Sequence, residues 1–352
     1  MDLSGDPAAS APLDAVPGPD AVPEPDAVPE PDADAQPAGY VVLVPPGERI
    51  HFLDWTPGTL AAQTVVMIHG LAATAHVWAP VARRLCRIRR IVAMDLRGHG
   101  LSDAPTEGYT AATMAGDVVA VVEGARALDE PGRRVVLAGH GFGAIVAAWT
   151  ARELGVRCAG LVLVDGGWED LSAATGLDPD EFLRTLEEPP EVLRSLTAYL
   201  ADRAEFDRPT WNADQEAAAR AAVVELPAGK VVSATRPHAL EGSVRAMFAY
   251  RPLEVLARVT APIAILSAAD DETGGRAAAL DRLAEALAAT GRPLAGRRSF
   301  PSDGHNLMRY RPVEVAATII DAAEWPVARP CPAVVGARSI RCLIPGRHPG
   351  TR

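Results

Sequence analysis

Residues 137–143 read LAGHGFG, and this short stretch decides how the surrounding chain folds. The apolar run at residues 135–138 predicts a buried strand, and the segment that follows, AIVAAWTAREL, has the pattern of a helix. Three glycines, Gly139, Gly141 and Gly143, lie between the two and permit a very tight turn. The stretch therefore predicts a strand, a sharp turn and a helix in immediate succession.

Strand and helix patterns alternate on both sides of this turn. Helices are predicted over residues 113–128 and 144–154. Runs of aliphatic and β-branched residues predict strands at residues 39–44, 64–68, 90–94, 133–138, 160–164 and 262–267, with a weaker one at 294–300. Such alternation predicts an α/β fold: a mostly parallel, doubly wound sheet with helices on both faces, and ligands bound at the carboxyl ends of its strands.

Three parts of the chain depart from this pattern. Residues 167–255 are helical in pattern, so we interpret them as a cap inserted into a core of residues 40–166 and 256–325. Residues 1–39 contain the repeat DAVPGP, DAVPEP, DAVPEP and predict a disordered, acidic, proline-rich arm. Residues 326–352 predict a flexible basic tail.

The charge distribution limits the classes of partner. The formal net charge is −11, but residues 1–39 hold nine acidic residues and no lysine or arginine, so the remainder is nearly neutral. A nearly neutral body argues against a nucleic-acid partner. The sequence has no apolar run near the roughly 18 residues of a membrane span and no signal-peptide pattern, so we expect no membrane association and a cytoplasmic location. The scarcity of lysine beside abundant arginine and alanine suggests a bacterial source, and the oligomeric state is left open.

No cofactor or metal is expected. The four cysteines, Cys86, Cys158, Cys331 and Cys342, have no metal-ligand spacing. The glycine-rich stretches match neither a phosphate-binding loop nor the full dinucleotide fingerprint. The expected partner is therefore a small-molecule substrate alone.

Six motifs together resemble the α/β-hydrolase superfamily over roughly residues 40–325. They are MIHGLAATAHVWAPVARRL (67–85), AMDLRGHGLSDAP (93–105), LAGHGFGA (137–144), LVLVDGGW (161–168), ILSAADD (265–271) and PSDGHNLMRYRP (301–312). Their order along the chain is that of the family. The resemblance makes residues 139–143 the nucleophile elbow, G-x-S-x-G, with Gly141 at the position of the nucleophile.

The resemblance also assigns the other site residues. His305 takes the place of the catalytic histidine, oriented by Asp270, with the adjacent Asp271 or Asp165 as possible alternative acids. The oxyanion would be stabilised by two backbone N–H groups, those of Leu71 and Phe142.

Glycine at the elbow excludes a covalent intermediate at that position, because Gly141 offers no oxygen, sulfur or carboxylate. The leading hypothesis is therefore an enzyme that hydrolyses an ester or lactone bond of a small molecule, with the His305–Asp270 dyad activating a water. One alternative is cofactor-free lyase or isomerase chemistry with the same dyad. A second is a catalytically silent pseudoenzyme that binds a ligand or partner.

Overall fold

The computed structural model describes residues 28–55, 63–186, 195–269 and 274–325. In these ranges the chain forms ten strands, in the order β1 (Ala38–Val44), β2 (Glu48–Trp55), β3 (Thr64–Ile68), β4 (Ile91–Met94), β5 (Val135–His140), β6 (Cys158–Val164), β7 (Val223–Glu225), β8 (Val231–Ser233), β9 (Ile263–Ser267) and β10 (Gly296–Ser299). Every strand predicted from the sequence is present, with ends that differ by a few residues.

The same ranges contain twelve α-helices, none of them long and apolar enough to cross a membrane. They are α1 (Ala79–Leu85), α2 (Ala111–Gly124), α3 (Phe142–Leu154), α4 (Leu171–Thr175), α5 (Pro179–Leu186), α6 (Leu196–Phe206), α7 (Ala213–Ala221), α8 (Pro237–Ala249), α9 (Pro252–Leu256), α10 (Gly275–Ala289), α11 (Leu307–Tyr310) and α12 (Pro312–Glu324). Short 3₁₀ turns lie at Ala75–Trp78, Gly155–Arg157 and Arg208–Thr210.

Eight of the strands form one sheet in the order β1-β2-β4-β3-β5-β6-β9-β10. The pairs from β4 to β10 are parallel, whereas β1–β2 and β2–β4 are antiparallel. The predicted α/β class with a mostly parallel sheet is confirmed. The carboxyl ends of β3, β5, β6, β9 and β10 therefore lie along one edge, and the predicted site residues follow these ends.

Helices cover both faces of the sheet, as the unbroken apolar runs of its central strands predict. On β5, Val135 and Leu137 belong to the core cluster with α2, α3 and α10, while Val136 and Ala138 belong to the cluster with α1 and α12. This alternation buries every side chain of the strand that leads into the LAGHGFG turn. The turn is thus anchored by a strand whose side chains are all buried.

Strand β2 was not predicted, because polar residues interrupt its apolar pattern. His51 and Asp54 are both buried in it. Nδ1 of His51 lies 2.8 Å from the Asp95 carboxylate, and the Arg90 guanidinium lies 2.6 Å from the Asp54 carboxylate. These partners offset the cost of burying polar groups, and they come from other strands and loops that a local pattern does not reveal.

The interval predicted as a helical cap contains six helices, α4 to α9, and the two-stranded sheet β7–β8 among its described residues. Its last part packs with the core: Ala246, Tyr250, Val255 and Leu256 are buried in the same cluster as α2 and α3. The Tyr250 hydroxyl also donates a hydrogen bond to the Gly167 carbonyl oxygen at 2.9 Å. Tyr250 therefore holds the end of the predicted insertion against its beginning at Gly167.

Residues 28–37 differ from the disordered arm expected over residues 1–39. Val28 is buried, and the Asp32 backbone N–H donates to the Arg83 carbonyl oxygen at 2.8 Å. The Arg83 guanidinium donates to the carbonyl oxygen of Ala33 at 2.9 Å, and Arg87 lies 3.0 Å from the Asp32 carboxylate. Arg83 of α1 thus binds a backbone carbonyl of this extended segment, and Arg87, just after α1, binds its Asp32 carboxylate. Residues 1–27 and the predicted tail at 326–352 lie outside the described residues.

Candidate active site

Gly141 lies at the turn between β5 and α3, with φ 53° and ψ −116°. A residue with a side chain pays on the order of 1–3 kcal/mol to hold such a conformation, and glycine avoids this strain. Glycine at position 143 allows a close approach of two backbone segments, because a Cβ atom there would lie 2.3 Å from the Ile68 carbonyl oxygen. The strand-turn-helix arrangement predicted for LAGHGFG is therefore present, with no side chain at its apex.

His305 faces this apex from the loop between β10 and α11. A Cβ atom built on Gly141 would lie 3.1 Å from Nε2 of His305 and 3.4 Å from its Cε1 atom. The next nearest atom, at 3.8 Å, is Cα of Gly70, so the space beside Gly141 is bounded mainly by the imidazole. The side chain of His305 is 60% exposed. Its Nε2 atom is thus aimed at the space that the side chain of a nucleophile would occupy.

The acid that contacts His305 is Asp165, which follows β6. Its Oδ2 atom lies 2.5 Å from Nδ1 of His305. Asp270, the acid preferred from the sequence, and Asp271 lie outside the described residues, so we move the assignment of the orienting acid to Asp165. The family pattern favoured Asp270, which follows β9, whereas the acid in contact with His305 follows β6, the neighbouring strand.

The Asp165 carboxylate is fully buried and has three partners. Besides His305, the Ala268 backbone N–H donates to Oδ1 at 2.9 Å, and the Arg276 guanidinium donates to Oδ1 at 3.0 Å. Burial alone would raise the pKa of Asp165, but the hydrogen bond with His305 and the charge of Arg276 outweigh it, and the pKa is lowered. Asp165 is therefore held as a carboxylate.

The backbone of Asp165 is also unusual, with φ 45°, a region that few residues other than glycine adopt. Its N–H donates to the Leu266 carbonyl oxygen at 2.7 Å, which fixes this conformation from the neighbouring strand. Strained residues of this kind are concentrated at functional sites, where the surrounding structure enforces them. The backbone geometry thus adds to the evidence that Asp165 has a role beyond packing.

The two predicted oxyanion donors lie in the turns after β3 and β5. In the described part of the chain, neither the Leu71 nor the Phe142 backbone N–H donates to a protein acceptor. His69 shapes the first turn: the Leu96 N–H donates to its Nε2 at 3.0 Å, so Nδ1 carries the proton and donates to the Gly70 carbonyl oxygen at 2.7 Å. Both N–H groups therefore remain available to an oxygen of a bound molecule.

His140, the residue before Gly141, contacts His305 directly. Its Nε2 atom lies 2.9 Å from the His305 carbonyl oxygen, and the two ring centroids are 4.4 Å apart. Burial, with a smaller effect of neighbouring His305, lowers the pKa of His140 to about 3, so this ring is neutral and donates from Nε2. His140 thus fixes the backbone that carries His305.

Ser102 does not replace the missing nucleophile. Its hydroxyl donates to the Asp95 carbonyl oxygen at 2.7 Å and accepts from the His51 N–H at 2.9 Å. These bonds tie the loop after β4 to β2.

Arg276, at the start of α10, was not identified from the sequence. Besides Asp165, it binds Glu169, with 3.1 Å between Nε and Oε1, and it lies over the Trp168 ring at 5.2 Å. The side chain of Arg276 borders a cavity of about 480 Å³ between α4, α9 and α10. Trp168, Leu253 and Leu283 also line this cavity. No local pattern marks an arginine whose partners lie more than 100 positions earlier in the chain.

Acidification should remove the contribution of Asp165 to stability. Because its folded pKa is lowered, the carboxylate stabilises the folded state fully above the unfolded value of about 3.9, and this contribution is lost as the pH falls through the folded pKa. Urea unfolding of the wild type and Asp165→Asn should give a difference in unfolding free energy that is present from pH 7 to pH 5 and shrinks toward pH 3. Asp180→Asn, which removes an exposed ion pair with Arg245, should show little difference at any pH. A difference for Asp165→Asn that is the same at pH 3 as at pH 7 would contradict this account.

Comparisons with known proteins show which proteins this chain is similar to. A non-heme chloroperoxidase of Streptomyces lividans is 38% identical over 120 residues, which cover 34% of this chain and 41% of the relative. A 2-(acetamidomethylene)succinate hydrolase of Mesorhizobium japonicum is 35% identical over 80 residues, which cover 23% and 27%. The chain thus matches less than half the length of either relative.

A solved structure of E-2-(acetamidomethylene)succinate hydrolase superposes with a TM-score of 0.65 at 19% identity, covering 81% of this chain and 98% of that one. At 19% identity, this similarity shows the fold alone. A sequence model described as the Alpha/beta hydrolase family matches residues 65–318, more than two thirds of the chain. The strand-turn-helix elbow, the sheet order and this match lead to one conclusion: the chain belongs to the alpha/beta hydrolase family.

Proposed function

We propose that this protein hydrolyses an ester or lactone bond in a small organic molecule without a covalent intermediate. The observation that supports this most is the position of His305. Its Nδ1 atom is hydrogen-bonded to Asp165, and its Nε2 atom is aimed at the space beside Gly141. An imidazole held in this way is a general base with its free nitrogen directed at the place where a water can replace the nucleophile.

The proposed reaction has two steps. In the first, Nε2 of His305 accepts a proton from the water while the water oxygen attacks the carbonyl carbon, and the N–H groups of Leu71 and Phe142 stabilise the resulting oxyanion. In the second, the tetrahedral intermediate collapses, the bond to the leaving alkoxide breaks, and the imidazolium gives its proton to that alkoxide. Asp165 remains a carboxylate throughout and stabilises the imidazolium.

The names of similar proteins support hydrolysis in general. One relative and one solved structure are named hydrolases of 2-(acetamidomethylene)succinate, a small molecule. The expected small-molecule substrate, bacterial source and cytoplasmic location remain parts of this proposal.

The first experiment is turnover of a panel of small esters and lactones by the wild type and by His305→Ala. We expect the wild type to hydrolyse at least one compound and His305→Ala to lose about 10²- to 10⁴-fold in kcat, the usual contribution of a general base. Mass spectrometry of the protein during turnover should find no acyl adduct, because Gly141 offers no atom to acylate. A stable adduct on any residue would overturn the noncovalent mechanism.

Two other results would favour the alternatives. If the wild type is no faster than His305→Ala on every compound, and a wider screen finds only ligand binding, the protein is a pseudoenzyme. If product analysis instead finds elimination or isomerisation that depends on His305, the dyad transfers protons without hydrolysis. Both outcomes would overturn hydrolysis as the function.

A further inference from the structure

Arg276 is fixed on several sides. It contacts both oxygens of Asp165, at 3.0 Å and 3.4 Å, and both oxygens of Glu169, at 3.1 Å and 3.4 Å. Nη1 also donates to the Ala269 carbonyl oxygen at 3.3 Å, and the guanidinium lies over the ring of buried Trp168. A planar group held by two carboxylates and an aromatic ring has little freedom to turn.

The two oxygens of Asp165 have their shortest contacts with different donors, although Nη1 of Arg276 also lies 3.4 Å from Oδ2. Oδ1 accepts from the Ala268 N–H and from Arg276, at 2.9 Å and 3.0 Å, whereas the shortest contact of Oδ2 is the one with His305, at 2.5 Å. Rotation of the carboxylate would break two bonds at Oδ1 in order to move Oδ2. The plane in which His305 meets its acid is therefore set by Arg276 together with Ala268.

The charged and titratable groups around Asp165 come from several segments. His305 contacts it from the loop before α11, Arg276 contacts it from α10, and Glu169 faces the other side of Arg276. His140, neutral as described above, stacks on the His305 ring. Burial opposes the charge of Arg276, but the two carboxylates outweigh it and raise its pKa, so Arg276 stays cationic. The buried carboxylate thus has a permanent counter-charge even while His305 is neutral.

We propose that Arg276 is a positioning residue of the dyad: it aims Oδ2 of Asp165 at His305 and sets the pH range in which His305 can act as a base. Arg276 contacts Asp165, which in turn contacts His305, so Arg276 acts through Asp165. Because the carboxylate is shared with a fixed cation, it attracts the imidazolium less strongly. Loss of Arg276 should therefore strengthen the attraction between Asp165 and the imidazolium. This inference rests on the proposed function.

Three variants test the role of Arg276 in turnover. For Arg276→Gln we expect kcat to fall about 10- to 100-fold with KM changed by less than about threefold, because the substrate site is intact while the base is misaligned. The acid limb of its kcat/KM profile should move to higher pH by roughly one unit. Arg276→Lys, which keeps the charge but not the planar fork, should lie between Arg276→Gln and the wild type. Arg245→Gln, the matched loss of an exposed ion pair on α8, should behave as the wild type.

A second measurement needs no substrate. Long-range ¹H–¹⁵N spectra of histidine-labelled protein follow the His305 ring through a pH titration, with the signals assigned from His305→Gln. We expect the pH midpoint of these signals to be higher in Arg276→Gln than in the wild type, and unchanged in Arg245→Gln. An unchanged midpoint in folded Arg276→Gln would overturn the role of Arg276. If the wild type hydrolyses nothing, the proposed function fails, but this titration still decides the inference.

The neighbouring cavity permits a chemical rescue. Arg276→Ala would leave a space that opens into the cavity of about 480 Å³ beside Trp168. Guanidinium chloride at low, non-denaturing concentration should then lower the His305 midpoint toward the wild-type value, and sodium chloride at equal ionic strength should not. An equal effect of the two salts would mean screening alone and would contradict a specific role for the guanidinium group.

Discussion

Gly141→Ser is expected to react with a fluorophosphonate at residue 141, whereas the wild type stays unlabelled at this position. The serine would replace a glycine whose Cβ direction points at Nε2 of His305, so the new hydroxyl stands beside a base that is already oriented by Asp165. The change in labelling, from none toward one adduct per chain, is detected by mass spectrometry of the intact and digested protein.

The Gly141→Ser substitution should also have two unfavourable effects, a close contact with His305 and backbone strain. The Cβ atom would lie 3.1 Å from Nε2, closer than ordinary contact, so the His305 ring must move by a few tenths of an ångström, and its exposure allows this. Holding a side chain at φ 53° should also lower the free energy of unfolding by about 1–3 kcal/mol. Gly141→Ala is the matched control, because it has the same strain and no hydroxyl. The double variant Gly141→Ser, His305→Ala should lose the labelling, and labelling that persists would show that His305 is not the activating base.

Asp165→Asn should lower kcat by about 10³- to 10⁴-fold while the protein remains folded. The amide oxygen is drawn to the Oδ1 position, where the Ala268 N–H and Arg276 both donate, so the amide NH₂ would face Nδ1 of His305. An NH₂ group there favours the tautomer with its proton on Nε2, which cannot accept a proton from water. Asparagine also tolerates the positive φ of this position, so the backbone should survive the change.

The measurement is steady-state turnover on the substrate identified by the panel, with thermal unfolding as the control for folding. Asp180→Asn, an exposed carboxylate on the cap, should keep wild-type activity. A loss of less than about tenfold in folded Asp165→Asn would mean that the acid is dispensable for the reaction.

Much of the fold could be predicted because it depends on local periodicity. The apolar runs of the central strands, buried on both faces, are visible in the sequence, and so is the glycine-rich turn at residues 139–143. Strand β2 was missed because His51 and Asp54 are tolerated inside it only through partners on other elements. The order at residues 28–37 was missed for the same reason, since it depends on the side chain of Arg83.

In the candidate site, only residues near the carboxyl ends of predicted strands could be identified from the sequence. The sequence placed Gly141 and His305 at positions that the structure brings together. It preferred Asp270 to Asp165 on the family pattern, although both follow strands that end at the same edge of the sheet, and the structure places Asp165 against His305. No sequence pattern pointed to Arg276, because its proposed function depends on the carboxylates of Asp165 and Glu169, which α10 contacts only in the folded protein.

The exposure of His305 has a consequence for the rate of turnover. With 60% of its side chain open to solvent, the ring can exchange protons directly with dissolved buffer molecules and needs no internal relay. In the proposed mechanism the imidazolium returns its proton to the leaving alkoxide within each cycle, so turnover does not wait for buffer to deprotonate the ring. Activity at fixed pH and ionic strength should therefore not depend on buffer concentration.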